Sequence, residues 1–377
     1  MTRGTLAAVL WVSCLVSRAQ DSPAGPAPPT VVASLARQAA EAKAGGRLEQ
    51  SAALYGKAVK VAPSWAEGWR QLGLLQFDAQ QYTACRDSFQ KLARLNSKLG
   101  SDFAYLGLCE FHTKEYRAAV ADLEKGYALG LRLEEPVTPV ALYRTAVLQT
   151  QAGNFERALQ FCRLLTRLKP NDPAVVAVAG IASLRLPIFP QELAEGDRDV
   201  AFKLGSAMLT GGAHPVEEAT RRFEELVKEY PDRPNVHYSY AMILLANDPN
   251  RGVTALERTL ALDPKHLPAL VAMAFEYLNR GEAARALPFA ERAVATAPGS
   301  FAARGCLGRT LVELNQFEKG AKELELAAKL EPSSSQLQFL LSSTYTKLGR
   351  KEEAARARAE FARLKAAEDE RMGREEK

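Results

Sequence analysis

The chain has 377 residues, of which 47% are hydrophobic and 25% are charged. This composition is typical of a folded protein with a large apolar core, and it excludes a disordered chain. The net charge of +5 is small. Basic and acidic residues alternate in stretches such as RRFEELVKEY, which indicates solvated helix faces and argues against a nucleic-acid partner.

The first nineteen residues have the layout of an export signal. Arg3 provides a positive charge, the stretch GTLAAVLWVSCLV is apolar, and small Ser17 and Ala19 precede Gln20. We therefore expect residues 1–19 to be a signal peptide and the mature protein to be periplasmic or secreted, without a membrane-spanning segment. Alternatives are an uncleaved anchor or buried first helix, and a lipid attached to Cys14. Residues 20–31 contain four prolines and predict an extended linker.

Four cysteines follow the predicted signal peptide, namely Cys85, Cys109, Cys162 and Cys306. None belongs to a C-x-x-C pair or has a histidine at metal-ligand spacing, so we expect no metal site. All four lie among apolar helix residues, which favours small buried side chains. A disulfide between Cys85 and Cys109 is the alternative.

From residue 32 onward, apolar residues recur at intervals of three and four, which predicts α-helices separated by short turns such as AGG, AGN, NRG and LGR. Prolines mark a period in this pattern. Pro231, Pro264, Pro298 and Pro332 are 33, 34 and 34 residues apart. A period of 34 residues is typical of stacked helical hairpins.

In this frame, small residues occupy two recurring positions of each repeat. The eighth position holds Ala39, Gly73, Gly107, Ala146, Ala207, Ala274, Gly308 and Ser342, and the twentieth holds Ser51, Cys85, Ala119, Ala158, Ala219, Ala286, Gly320 and Ala354. The pattern resembles the tetratricopeptide repeat family over about residues 32 to 365. The resemblance implies an all-α fold, a right-handed α-solenoid of antiparallel hairpins, in an exported protein that we expect to be bacterial. Small residues let the two helices of a hairpin cross closely.

The repeat pattern is interrupted in three places. Residues 131–139 hold a lengthened loop, residues 234–266 are one residue short, and Pro187 and Pro190 block a helix where one is due. We therefore expect an upstream array over residues 32–186, an irregular hinge or degraded repeat over 187–199, a downstream array over 200–366 and a charged tail over 367–377.

Catalytic motifs are not found in the sequence. It has no G-x-S-x-G, no H-E-x-x-H and no glycine-rich phosphate loop with its lysine, and its four histidines are scattered. The acidic residues lie at spacings that suit ion pairs along helix surfaces. We expect no enzyme activity and no cofactor.

The family resemblance implies a concave groove lined by the first helix of each repeat. The positions that would face this groove are Arg70, Leu74, Phe77, Leu108, Phe111, His112, Tyr143 and Val147 upstream, and Phe275, Leu278, Asn279, Arg309, Val312, Phe339 and Lys347 downstream. The chain lacks the Lys, Asn, Asn, Lys and Arg set with which some relatives bind the terminal carboxylate of chaperone tails, which argues against that class of partner.

A mainly apolar groove suits an amphipathic helix or an extended peptide with apolar anchors. We therefore expect a scaffold in the cell envelope or outside the cell that binds a protein or peptide partner. Two alternatives stay open: an envelope assembly or secretion accessory factor with a dedicated partner, and a carrier of a small ligand or lipid. The same side chains would also suit mere packing of a closed superhelix.

Overall fold

The computed structural model describes residues 30–132, 134–210 and 216–375. Within these ranges the chain forms nineteen α-helices and no β-strand. The predicted signal peptide, Cys14 and the linker up to residue 29 lie outside the described residues. The helices are α1 (Thr30–Ala44), α2 (Leu48–Val61), α3 (Ala66–Asp78), α4 (Tyr82–Arg94), α5 (Gly100–His112), α6 (Tyr116–Ala128), α7 (Val137–Gln151), α8 (Phe155–Leu168), α9 (Pro173–Ser183), α10 (Glu195–Thr210), α11 (Val216–Glu229), α12 (Pro234–Leu245), α13 (Pro249–Leu262), α14 (Leu267–Asn279), α15 (Ala283–Thr296), α16 (Phe301–Glu313), α17 (Phe317–Leu330), α18 (Ser335–Lys347) and α19 (Lys351–Glu375).

Neighbouring helices pack in pairs along the chain. The pairs are α1/α2, α3/α4, α5/α6, α7/α8, α9/α10, α12/α13, α14/α15, α16/α17 and α18/α19, and α11 contacts both α10 and α12. Each pair also contacts the next one, so the apolar face of one hairpin is covered by its neighbour. The predicted α-solenoid of stacked helical hairpins is confirmed.

Small residues stand where the two helices of a hairpin cross. A β-carbon added to Gly107 on α5 would lie 2.6 Å from Cγ of Leu123 and 2.9 Å from the carbonyl oxygen of Ala119 on α6. A β-carbon on Gly308 would lie 3.1 Å from the carbonyl oxygen of Gly320. The close approach predicted from the eighth and twentieth repeat positions is confirmed at these hairpins, and it leaves no room for a larger side chain.

The chain departs from the regular repeat after α9. Pro187 and Pro190 lie in an irregular connection that contains a single 3-10 turn at Pro190–Glu192. The sequence frame begins a first helix at Val200, whereas α10 begins at Glu195 and packs on α9 as its second helix. A β-carbon on Gly205 of α10 would lie 2.7 Å from the backbone nitrogen of Gly180. The prolines therefore displace the second helix along the chain instead of removing it.

Hydrogen bonds cross this irregular connection. Asn235 at the start of α12 donates from Nδ2 to the carbonyl oxygen of Leu184 at 2.8 Å. Nε2 of His266, which precedes α14, lies 2.9 Å from Oδ1 of Asn235, and its Nδ1 accepts from the backbone N–H of Ala269. Burial lowers the pKa of His266 to about 4, so the ring is neutral with its proton on Nε2. Hydrogen bonds through Asn235 thus link the ends of α9, α12 and α14, which are consecutive first helices. Division of the chain into two arrays at residues 187–199 stays a prediction.

Two cysteines differ from the favoured expectation of free thiols. Cys85 on α4 and Cys109 on α5 form a disulfide, with their Cα atoms 6.1 Å apart. The pairing arises because the second helix of one hairpin packs on the first helix of the next. Cys162 and Cys306 are free and buried, as expected, and burial raises the pKa of each thiol to about 12.

The last helix is longer than the frame predicts. Residues 367–375, which were expected to belong to a charged tail, continue α19 as far as Glu375. Across the described part of the chain, no helix is both long and apolar enough to cross a membrane.

Candidate peptide-binding groove

The first helices of successive hairpins form one face of the stack. α3 contacts α5, α5 contacts α7, and α7 contacts α9. Beyond the irregular connection, α9 contacts α12, α14 contacts α16, and α16 contacts α18. In a solenoid, such a row of closely spaced helices lies on the inside of the curve and provides an extended concave surface.

At the upstream end of this row, the arginine assigned to the groove is held by acidic neighbours. The guanidinium of Arg70 donates to both carboxylate oxygens of buried Asp102, at 2.8 and 2.9 Å, and also pairs with Glu67. Leu74 packs against the apolar core, and the ring of Phe77 packs edge-on against Tyr105 at 5.2 Å. These three residues have structural partners within the chain.

Two predicted groove residues of the central hairpins are core residues. Leu108 and Val147 are almost fully buried. Phe111 and Tyr143 are half-buried, and the guanidinium of Arg144 lies near both, 4.5 Å from the ring centroid of Phe111 and 5.4 Å from that of Tyr143. The structure thus brings the two predicted aromatic side chains together around a cation that the sequence frame does not assign to the groove.

The residues predicted to line the downstream groove are also partly core residues and partly surface residues. Leu278 is buried, whereas Phe339 is exposed and lies 5.5 Å from the ring of Phe361. Arg309 lies 5.7 Å from the ring centroid of half-buried Phe275. Leu278 therefore contributes to packing, while the other three residues present surface on or near the downstream first helices.

An open cavity of about 900 Å³ lies among the downstream first helices. Its apolar lining comes mainly from the first helices α12, α14 and α16, and Glu156 and Arg185 contribute a charged edge. The lining includes predicted Phe275 and Asn279 and also Tyr238, Met242, Leu245, Leu267, Val271 and Phe301. A mainly apolar cleft with a few polar groups has the character of a binding pocket.

Sequence reasoning missed most of this cavity for identifiable reasons. Tyr238 and Met242 belong to the repeat that is one residue short, so their positions in the frame were uncertain. Phe301 stands at the first position of its repeat, which is not among the groove positions of the family. A signal was nevertheless present, because Met242 and Phe301 are large apolar residues of first helices that remain 43% exposed.

The charged edge of the cavity is neutralised within the chain. Nη1 of Arg185 donates to Oε1 of Glu156 at 2.7 Å, and the guanidinium lies 5.9 Å from the ring centroid of Tyr238. Burial raises the pKa of Tyr238 to about 12, so its hydroxyl keeps its proton at neutral pH. The lining carboxylate of Glu276 is likewise paired, with Nε of Arg280 at 2.7 Å, so the two ion pairs leave little net charge around an apolar ligand. Within the described ranges, no group of three or more metal-ligating side chains is found.

Comparisons with known proteins agree with this architecture. A tetratricopeptide repeat family model matches residues 115–173, and a second model of the same description matches residues 277–343. The chain is 37% identical over 82 residues to the peroxisomal targeting signal receptor of Saccharomyces cerevisiae, a segment that covers 22% of this chain. It is 30% identical over 82 residues to the receptor of the same name from Kluyveromyces lactis. The chain spans only 13% and 14% of the lengths of these two relatives.

Solved structures of MamA also match part of the chain. MamA from Desulfovibrio magneticus RS-1 is 24% identical with a TM-score of 0.41, and the match covers 44% of this chain and 95% of that one. A MamA RS-1 double mutant is 25% identical with a TM-score of 0.40, and the match covers 44% of this chain and 93% of that one.

Proposed function

We propose that the chain binds a peptide segment of a partner in the concave groove, because tetratricopeptide repeat models match residues 115–173 and 277–343 and such repeats generally provide non-catalytic scaffolds for protein partners. The observation that carries this proposal is the apolar cavity of about 900 Å³ between α12, α14 and α16. An apolar anchor of the peptide would enter the cavity, and the rest of the segment would lie along the first helices. We propose no catalytic role for the chain.

The site of action that we propose is outside the cytoplasm. The sequence of residues 1–19 motivates this proposal, and the disulfide between Cys85 and Cys109 supports it. Structural disulfides persist in oxidising compartments and are rare where thiols are kept reduced. Recovery of the purified protein from its host with both thiols reduced and residue Met1 present would contradict export.

The groove is tested with a displayed library of short random peptides selected on the purified protein. The affinity of an enriched peptide is then measured for two double variants. Met242→Ala with Phe301→Ala removes two cavity side chains that are each 43% exposed, and we expect at least about tenfold weaker binding because apolar anchors dominate such interfaces.

The matched control is Leu326→Ala with Leu330→Ala on the second helix α17, where the two side chains are 39% and 47% exposed. It removes a similar exposed apolar surface outside the cavity and should leave the affinity unchanged. Equal effects of the two double variants would contradict binding in the cavity. Failure to enrich any peptide, together with a small molecule that native mass spectrometry detects on the protein, would favour the carrier function instead.

A further inference from the structure

The guanidinium of Arg144 on α7 is held without an acidic partner. Its Nε atom is buried and has no hydrogen-bond partner among the described residues. Two other upstream arginines are paired: Arg86 on α4 with Glu115, and Arg157 on α8 with Glu124 at 2.8 Å. No ion pair is found between Arg144 and any carboxylate of the described chain.

The walls around this cation are aromatic. The ring of Phe111 lies 4.5 Å from the guanidinium, and that of Tyr143 lies 5.4 Å away. Phe111 packs against one apolar cluster and Tyr143 against another, and Phe189, from the irregular connection after α9, packs against both clusters. The rings of Phe111 and Tyr143 shield part of the guanidinium from water, which strengthens any charge interaction made on its open side.

The nearby ionisable groups do not neutralise Arg144. Burial and the positive charge of Arg144 both lower the pKa of His112, so that ring is uncharged near neutral pH. The same imidazole is stacked on Tyr82 at 3.8 Å. Burial raises the pKa of Tyr143, whose hydroxyl therefore remains protonated. Neither His112 nor Tyr143 therefore supplies a negative charge that would pair with the guanidinium of Arg144.

A carboxylate is the ligand that suits this arrangement best. The guanidinium presents parallel N–H donors that match the two oxygens of a carboxylate, and such charged pairs are about twice as strong as neutral hydrogen bonds. A bound carboxylate would accept from the terminal N–H groups of the guanidinium, while an apolar neighbour on the same ligand would contact Phe111 or Tyr143.

We propose that Arg144, Phe111 and Tyr143 form a carboxylate-binding site on the upstream concave face. The carboxylate comes from an Asp or Glu side chain of the bound peptide or from its chain end, next to an apolar residue. That the ligand is a peptide rests on the proposed function, whereas the site for a carboxylate beside an apolar group does not. The site lies on α7, upstream of the apolar cavity, which is lined mainly by residues of α12, α14 and α16.

The first test uses N-acetylphenylalanine, which carries one carboxylate beside one aromatic ring, and its neutral amide as the matched probe. Binding is followed by the NMR signal of the Arg144 Nε–H group, assigned by its loss in Arg144→Lys. We expect the acid to shift this signal and the amide to leave it in place. Equal shifts with both probes, or no shift with either, would overturn the proposal.

The second test repeats the peptide selection with wild-type protein and with Arg144→Gln. Wild-type protein should enrich peptides that contain Asp or Glu beside an apolar residue, and Arg144→Gln should bind them at least about tenfold more weakly with unchanged circular dichroism. The control Arg157→Gln removes an arginine that is already paired with Glu124 and should retain affinity. Peptides with an amidated end distinguish a side-chain carboxylate from a terminal one.

The outcomes separate this site from the general function. If peptides are enriched without a preference for acidic residues, or if that preference survives in Arg144→Gln, the carboxylate site is refuted and peptide binding stands. If no peptide is enriched but the acid probe still shifts the Arg144 signal and the amide does not, the carboxylate site stands and peptide binding is refuted.

Discussion

Gly107 and Gly56 allow the same chemical change to be made at a helix crossing and on an open helix surface. Both glycines lie inside helices, Gly107 in α5 and Gly56 in α2. A β-carbon on Gly107 would lie 2.9 Å from the carbonyl oxygen of Ala119 and 3.0 Å from the backbone nitrogen of Leu123, whereas a β-carbon on Gly56 would meet nothing within 4 Å. The substitution is Gly→Ala in each case.

The expected effects have opposite signs. Alanine stabilises a helix interior by about 1 kcal/mol relative to glycine, and this gain applies to both variants. Gly107→Ala must also push the backbones of α5 and α6 apart, because two of the three nearest atoms, the carbonyl oxygen of Ala119 and the backbone nitrogen of Leu123, are main-chain atoms that a side-chain rotation cannot remove. Overpacking of this kind destabilises a core by about 1 to 3 kcal/mol. The free energies of unfolding of the two variants should therefore differ by about 1 to 3 kcal/mol, with Gly56→Ala the more stable.

The assay is urea unfolding followed by far-UV circular dichroism, with wild-type protein as reference. Because distant hairpins of a solenoid can unfold separately, hydrogen exchange of peptides from α5 and α6 should accompany it. Faster exchange confined to this hairpin in Gly107→Ala would support the crossing. If Gly107→Ala were as stable as Gly56→Ala and its exchange were unchanged, the close approach assigned to this repeat position would be wrong.

Three further predictions concern groups inside the stack. Burial and the neighbouring carboxylate of Asp122 raise the pKa of Glu110. The folded state therefore retains a proton that the unfolded chain releases near pH 4.3, and the free energy of unfolding falls as the pH rises through the raised folded pKa. Glu110→Gln should flatten this fall in urea titrations between about pH 5 and 9. Cys85→Ser with Cys109→Ser opens a loop of 24 residues and should lower the free energy of unfolding by about 3 to 4 kcal/mol, whereas an unchanged urea midpoint would show that the bond constrains nothing. Asn235→Ala leaves the Leu184 carbonyl and the His266 N–H without their partner. It should lower the free energy of unfolding by about 1 to 3 kcal/mol. An unchanged melting temperature in calorimetry would contradict this link between α9 and α14.

The sequence by itself determined the architecture, because small residues at the helix crossing recur at the same position in repeat after repeat. Gly73, Gly107 and Gly308 each follow a leucine at the eighth position, and the helices of a hairpin can cross only where such small residues meet. The period of 34 residues set by the prolines fixed the hairpins, and Pro187 and Pro190 marked the place where the regular pattern stops. These patterns are local, so they can be recognised without knowing which hairpin packs against which.

The tertiary structure alone decided the contacts between repeats. Whether Leu108 faces a groove or the core depends on how α5 packs against its neighbours, and in this packing Leu108 is buried. Cys85 and Cys109 meet, and Asn235 reaches Leu184 across the irregular connection, only because whole hairpins stack at particular distances. Arg144 became a candidate site residue for the same reason. Whether an arginine has an acidic partner depends on which side chains of several neighbouring helices lie around it, and the linear sequence does not show this.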